Sequence, residues 1–144
     1  DELQVCKAQG ICIDENTPSR LEQHPDAALL VLADDQEVEE TLYSHLLRSN
    51  CPVTGQPDWG TVFIRYQGKK ICHASLLAYI ISYRQHNGFH EQCVEQIYAD
   101  IWQNLKPNKL MVYATYTRRG GLDINPCRVS DEDWLVEPIR LSRQ

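Results

Sequence analysis

From Val38 onward the apolar and polar positions fall into recognisable periods. Thr41 to Arg48 reads as a strand with Leu42, Ser44 and Leu46 on one face. Cys51 to Asp58 contains Pro52, Gly55 and Pro57 and reads as a loop. Thr61 to Tyr66 is rich in β-branched and aromatic residues, which predicts a second strand, closed by a turn at Gln67-Gly68. Leu76, Leu77, Ile80, Ile81 and Arg84 then share one stripe at helical spacing. Phe89, Cys93, Val94, Ile97, Tyr98, Ile101, Trp102 and Leu105 repeat at steps of three and four, the mark of an amphipathic helix. Asn87-Gly88 separates the two helices and Pro107 follows the second. Leu110 to Tyr116 is a third strand, Arg118-Arg119-Gly120-Gly121 a turn, and Leu122 to Arg128 a fourth strand.

The order is ββααββ. Short connections make sequential strands antiparallel. The expected fold is α+β: an antiparallel four-stranded sheet with two helices on one face. Residues 1–37 lack this periodicity. Pro18 and Pro25 interrupt them, and only Ala27 to Ala33 could form a short buried strand or helical turn. The sequence thus divides into a linker or extension at 1–37 and a folded unit at 38–144.

Charge sharpens that division. The net charge is −6, yet residues 1–40 hold 11 acidic and 2 basic side chains while residues 41–144 hold 9 and 12. The acidity belongs to the first segment. The mildly basic remainder suits a small phosphorylated ligand and is too weak for a nucleic-acid surface. No run of 18 apolar residues predicts a membrane span. Asp1 to Cys12 has no basic start followed by an apolar stretch, so no signal peptide is expected. The chain does not open on Met, which suits a processed chain or a piece of a longer one. The six cysteines show no disulfide framework and read as reduced thiols of a cytoplasmic protein.

Among them Cys51 stands out, in a loop at a strand end where a side chain can reach a ligand. Cys93 lies on the apolar stripe of a helix and reads as core. Asp58 stands beside Trp59, and a carboxyl next to an apolar indole can keep its proton as a general acid must. The bland alternative is a turn Asp capping Gly60. His90-Glu91 opens the second helix. Glu is favoured there by the helix dipole, but one carboxylate can also accept the paired N–H groups of a guanine-like base. His86, His90 and Cys93 have a spacing that could ligate zinc, yet Asn87-Gly88 interrupts the helix and no fourth ligand is evident, so no metal is assigned. A cysteine hydrolase built from Cys51, a histidine and Asp58 is conceivable, though nothing in the spacing selects it. Arg118 to Gly121 offers cations and free amides for a phosphate or a nicotinamide, or simply a solvated hairpin turn.

Three segments carry a resemblance. Cys51-Pro52-Val53-Thr54-Gly55-Gln56-Pro57-Asp58-Trp59-Gly60 resembles the nucleophile segment of the 7-cyano-7-deazaguanine reductase family, the nitrile reductases of queuosine biosynthesis. Ser82 to Cys93 (SYRQHNGFHEQC) resembles its substrate-anchoring segment, and Tyr116 to Pro126 (YTRRGGLDINP) its third motif. The match runs in order from about Val38 to Arg128. The resemblance implies a tunnelling fold, whose units assemble into barrels with sites between neighbours. It implies Cys51 as nucleophile and Asp58 as proton donor. His90 and Glu91 would bind substrate, and Arg119 and Gly120 would touch NADPH. The implied reaction takes a nitrile to a primary amine: a Cys51 thioimide forms, Asp58 protonates the nitrogen, and two NADPH reduce it through an imine. Short family members carry a cofactor motif of Glu-Ser-Lys-Ser type where this chain has Cys72-His73-Ala74-Ser75-Leu76-Leu77-Ala78-Tyr79. The chain therefore resembles the C-terminal half of the long, two-unit form. Residues 1–37 would be the inter-unit linker, and the partners would be the N-terminal half, a deazapurine substrate and further copies in a homo-oligomer, with no nucleic acid and no membrane. A rival reading is a non-catalytic purine- or pterin-binding unit of the same fold. It would keep Glu91 and need neither Cys51 nor Asp58.

Overall fold

From Pro57 to Lys69 every second side chain points the same way, as the pleat requires. Val62, Ile64 and Tyr66 are buried beneath two helices, while Trp59, Phe63 and Arg65 occupy the opposite face. This strand, β3 (Pro57–Ile71), is the centre of a five-stranded sheet in the computed structural model, which describes residues 10–116 and 125–135. The others are β1 (Ile11–Cys12), β2 (Leu32–Asn50), β4 (Lys109–Tyr116) and β5 (Cys127–Val129), in the spatial order β1-β2-β3-β4-β5. Helices α1 (His73–Ile81) and α2 (His90–Leu105) lie between β3 and β4 in the chain. From β2 to β5 the expected ββααββ order is present and the pairings are antiparallel; β1 adds a fifth strand, parallel to β2.

Both helices cover one face. Leu76 and Ile80 of α1 and Val94, Ile97 and Ile101 of α2 share one buried cluster with Leu42, Val62, Ile64, Leu110 and Val112 of the sheet. Tyr79 ties the two helices together. Its hydroxyl contacts the Tyr83 hydroxyl at 2.7 Å and donates to Asp100 at 2.5 Å.

Several elements differ from the sequence reading for identifiable reasons. The first strand is not Thr41–Arg48 but the longer Leu32–Asn50. Leu42 and Ser44 face inward as expected, but Leu46 does not continue that face. The register runs Ser44↔Val62 and then Leu47↔Gly60, so β2 carries one extra residue there. Such a bulge reverses the side-chain parity, and Leu47 and Ser49 become the buried residues. The turn at Gln67-Gly68 is absent because β3 continues through it. Gly68 is instead a point of close approach: a Cβ there would stand 3.0 Å from Pro107 Cα. Arg84 lies beyond α1, in a separate 3-10 turn, Ser82–Gln85. The fourth strand is the shorter Cys127–Val129; residues 122–124 of the expected Leu122–Arg128 lie outside the described residues.

The described part of the N-terminal segment is folded against the unit. Ile11 and Cys12 pair with Leu42 and Tyr43. Ile13, Leu29 and Leu30 belong to the main buried cluster, and Ala27–Leu29 forms a 3-10 turn capped by the Asp26 carboxylate. The boundary between residues 37 and 38 falls inside β2.

Ile13 is fully buried. We expect Ile13→Ala to lower stability by about 2–4 kcal/mol, the range for truncating a core aliphatic side chain. Urea unfolding checks this, and a loss near zero would mean that the segment is peripheral.

Candidate active site

The end of the β2–β3 hairpin places the nucleophile segment. Ser49 pairs with Asp58 and Asn50 with Pro57, so the hairpin loop spans only residues 51–56. Asp58 therefore belongs to β3, where the sequence reading had it in a loop or turn. The Cys51 amide donates to the Gln56 carbonyl at 2.9 Å, and the Gly55 amide donates to the Cys51 carbonyl at 2.8 Å. Gly55 takes a left-handed conformation (φ 72°), which favours glycine.

This tight loop surrounds the Cys51 sulfur with donors. The Thr54 amide, the Thr54 hydroxyl and the Val53 amide all point at it and lower the thiol pKa; burial and the Asp58 charge oppose them weakly. Hydrogen bonds to the charged form favour a thiolate, the nucleophilic form of cysteine. Cys93 is the contrast. It is buried on α2, and burial raises its pKa, which agrees with its reading as core. All five described cysteines are free.

A second strand-like contact fixes the start of α2. The Asn50 amide donates to the His86 carbonyl at 2.7 Å, and the Gly88 amide donates to the Asn50 carbonyl at 3.1 Å. The segment before α2 is thus laid beside the end of β2. Phe89 caps the helix with its amide donating to the Gln92 side chain at 2.9 Å. His90 then falls over β3, where its Nε2 meets Asp58 Oδ2 at 3.1 Å. Asp58 is 6% exposed. A carboxylate this buried requires partners, and the imidazole is one. The opposite face of the ring stacks on Tyr116, with centroids 3.7 Å apart and planes 5° from parallel.

Trp59 does not shield the Asp58 carboxyl, contrary to the sequence reading. Strand alternation turns its indole to the other face, where it is 49% exposed and lies beneath the Arg48 guanidinium, 5.7 Å from the ring centroid. The protein interior around Ser49 and Tyr116 encloses Asp58 instead. Glu91 lies in the first turn of α2 and is exposed, so its carboxylate is open to a ligand. Cys51, Asp58, His90 and Glu91 therefore lie at one end of the sheet. Arg119 and Gly120 lie outside the described residues. Tyr116 was legible only as the first residue of the third motif; nothing in its local pattern announced a stack on His90.

The arrangement can do two things. A thiolate-stabilising loop can form a covalent bond to an electrophilic carbon, and a buried carboxylate–imidazole pair can move a proton beside it. In a cysteine hydrolase the second imidazole nitrogen would take the thiol proton; among the described residues no hydrogen bond joins His90 to Cys51, whose donors come from its own loop. Among the described residues no three His, Cys, Asp or Glu side chains converge on a metal position, and His86 packs edge-on against Tyr83.

These features define a class: a tunnelling-fold α+β unit with a thiol, a carboxylate–imidazole pair and an exposed carboxylate at one end of its sheet. The chain belongs to the QueF-like protein family, which matches residues 57–133. A relative from Acinetobacter baumannii, called NADPH-dependent 7-cyano-7-deazaguanine reductase, is 77% identical across all of this chain and 54% of its own length. Relatives of the same description from Acinetobacter baylyi and Paraburkholderia phytofirmans are 75% and 56% identical. The chain spans about half the length of these relatives. The crystal structure of the archaeosine synthase QueF-Like in the apo form superposes with a TM-score of 0.57 at 17% identity, over 67% of this chain and 95% of that one, which shows the shared fold.

The loop donors make a pH prediction. With its pKa lowered, Cys51 should react with iodoacetamide at a pH below the usual thiol midpoint of about 8.5, and well before Cys93. Thr54→Val, which removes one donor, should move the Cys51 midpoint upward. Peptide mass spectrometry across pH reads both; an unmoved midpoint would show that the Thr54 hydroxyl does not stabilise the thiolate.

Proposed function

We propose that this chain is the catalytic portion of an NADPH-dependent nitrile reductase that converts 7-cyano-7-deazaguanine to its aminomethyl product in queuosine biosynthesis. The observation that carries the reading is the buried Asp58–His90 pair at 3.1 Å on the same sheet end as the thiolate-stabilising Cys51 loop. Full-length relatives bearing the reductase description support it.

The chain's own residues supply the covalent capture. The Cys51 thiolate adds to the nitrile carbon, forming an S–C bond and converting the triple bond to C=N. Asp58, in its protonated form and in contact with His90, delivers its proton to the nitrogen and is left as a carboxylate beside the imidazole, giving a neutral thioimide. Covalent capture divides a difficult reduction into easier steps. Glu91 accepts the ring N–H and the exocyclic amino group of the deazaguanine, which orients the nitrile toward Cys51. Asp58 is 6% exposed, so little water reaches the carboxyl to compete for the proton in transit.

NADPH supplies hydride in the reaction proposed. The described residues do not by themselves make its site. The stretch that carries the cofactor motif in short family members, Cys72 to Tyr79, here enters α1, and Ser75 to Tyr79 are buried. Cofactor contacts are therefore assigned to the Arg118–Gly121 segment, with Arg119 and Gly120 as the contacts, and to a second, N-terminal unit. Residues before β2 would connect the two units, with assembly into an oligomer closing the site. No described helix is long and apolar enough to cross a membrane, and a cytoplasmic location fits a tRNA-precursor enzyme.

Incubation with the cyano-deazaguanine and intact-mass measurement tests the reading against a non-catalytic base-binding unit. A covalent adduct is expected. Cys51→Ala should abolish it, and Asp58→Asn should slow its formation by about 10²–10⁴-fold, the range for a positioned general acid. A persistent adduct in Cys51→Ala would move the nucleophile elsewhere.

Glu91→Gln should weaken binding of the deazaguanine by about 1–3 kcal/mol, because the amide leaves one ligand donor unpaired. Calorimetry showing unchanged affinity would remove Glu91 from the site.

A further inference from the structure

We infer that Tyr116 is a positioning residue for His90, and that Gly60, lacking a Cβ, leaves room for the Tyr116 ring to lie against it. The inference rests on the role proposed above for the Asp58–His90 pair. It begins with two independent observations. The imidazole of His90 stacks on the Tyr116 ring, with centroids 3.7 Å apart and planes 5° from parallel. On the adjacent strand Gly60 pairs directly with Tyr116. A Cβ on Gly60 would stand 3.0 Å from the Thr115 carbonyl oxygen, 3.0 Å from Tyr116 Cδ1 and 3.1 Å from Cε1. The phenol ring is therefore packed between the bare backbone of β3 and the imidazole.

The geometry assigns a purpose to this sandwich. A histidine ring has two soft torsions, and a single contact at Nε2 does not fix both. The Tyr116 plane sets the plane of the imidazole. The Asp58 contact at 3.1 Å then sets its rotation within that plane. Together they hold Nε2 on the carboxylate. The ring of Tyr116 does this, not its hydroxyl. The residue is 7% exposed, and its hydroxyl is buried against the Cys93 thiol, away from His90. The hydroxyl adds no directional contact to His90.

The consequence is separable from ordinary packing. Tyr116→Phe keeps the ring and should keep the parent rate of adduct formation. Tyr116→Leu removes the plane and should slow adduct formation by about 10–100-fold, the scale of a misplaced catalytic group, while affinity for the deazaguanine without its nitrile stays unchanged. Gly60→Ala should slow the reaction through the displaced ring, and in the Tyr116→Leu background only the smaller part owed to the Thr115 carbonyl should remain, since two changes acting through one element are not additive.

The test measures adduct formation and ligand affinity for the parent and the four variants, with NMR of the His90 ring protons as a readout that needs no turnover. The ring protons should be shifted upfield in the parent and in Tyr116→Phe, and not in Tyr116→Leu. Gly60→Ala should shift them intermediately, and it serves in place of Tyr116→Leu if that variant unfolds. A parent rate in Tyr116→Leu, a Phe variant as slow as Leu, or additive Gly60 and Tyr116 effects would each overturn the inference. If the parent itself forms no adduct, the reductase reading fails, while the ring-proton shifts still decide whether the sandwich orients His90.

Discussion

The register of the β2–β3 hairpin is the constraint on which the site depends. One extra residue after Ser44 turns Leu47 and Ser49 inward and lets Ser49 meet Asp58 across the pair. Without that bulge, strand parity would put Leu46 and Arg48 on the core face. Asn50 would no longer present its backbone to His86 and Gly88, and the start of α2 would lose its anchor on the sheet. The hydrophobic face that builds the core is thus the face that delivers Asp58 to His90. Folding and site assembly are one packing solution, with the site at the end of the buried face.

The same physics separates the roles of two cysteines. Cys51 sits in a six-residue loop whose amides and Thr54 hydroxyl converge on its sulfur, so the charged form is stabilised where it meets solvent. Cys93 is buried on α2, where the charged form is disfavoured. Sequence context separated them by element type alone, loop against apolar helical stripe. The structure adds the reason: a thiolate needs donors, and a tight loop supplies backbone amides that a helix interior has already committed to its own hydrogen bonds.

Much of the fold was legible because α2 and β3 carry strong, uninterrupted periods. What stayed hidden was non-local. The bulge in β2 leaves no turn residue in the sequence, and Leu46 looked as suitable for the core as Leu47. Gly68 looked like a turn because glycine commonly marks one, yet it answers to Pro107, far along the chain. Ile13 was obscured by the acids around it, whereas Leu29 and Leu30 lay in Ala27 to Ala33, the one stretch read as able to be buried, and all three are buried against the unit. For the site, Cys51, Asp58, His90 and Glu91 were singled out by motif and position. Trp59 was assigned to the wrong face of its strand neighbour, because adjacency in sequence means opposition in a strand.

The unequal exposure of the site residues has a chemical logic. Asp58 and His90 face one another in the protein interior, where a proton can be held in defined geometry and water competes poorly for it. Glu91, one residue further along α2, points outward because a helical step of about 100° separates neighbours. One helix start therefore presents an imidazole toward the interior and a carboxylate to the exterior. In the reaction proposed, the proton-handling groups would lie inside this unit and the anchoring group would stay open. A ligand held by Glu91 would then be covered on its outer side by a surface packing over the start of α2, and that surface would also govern how much water reaches Cys51.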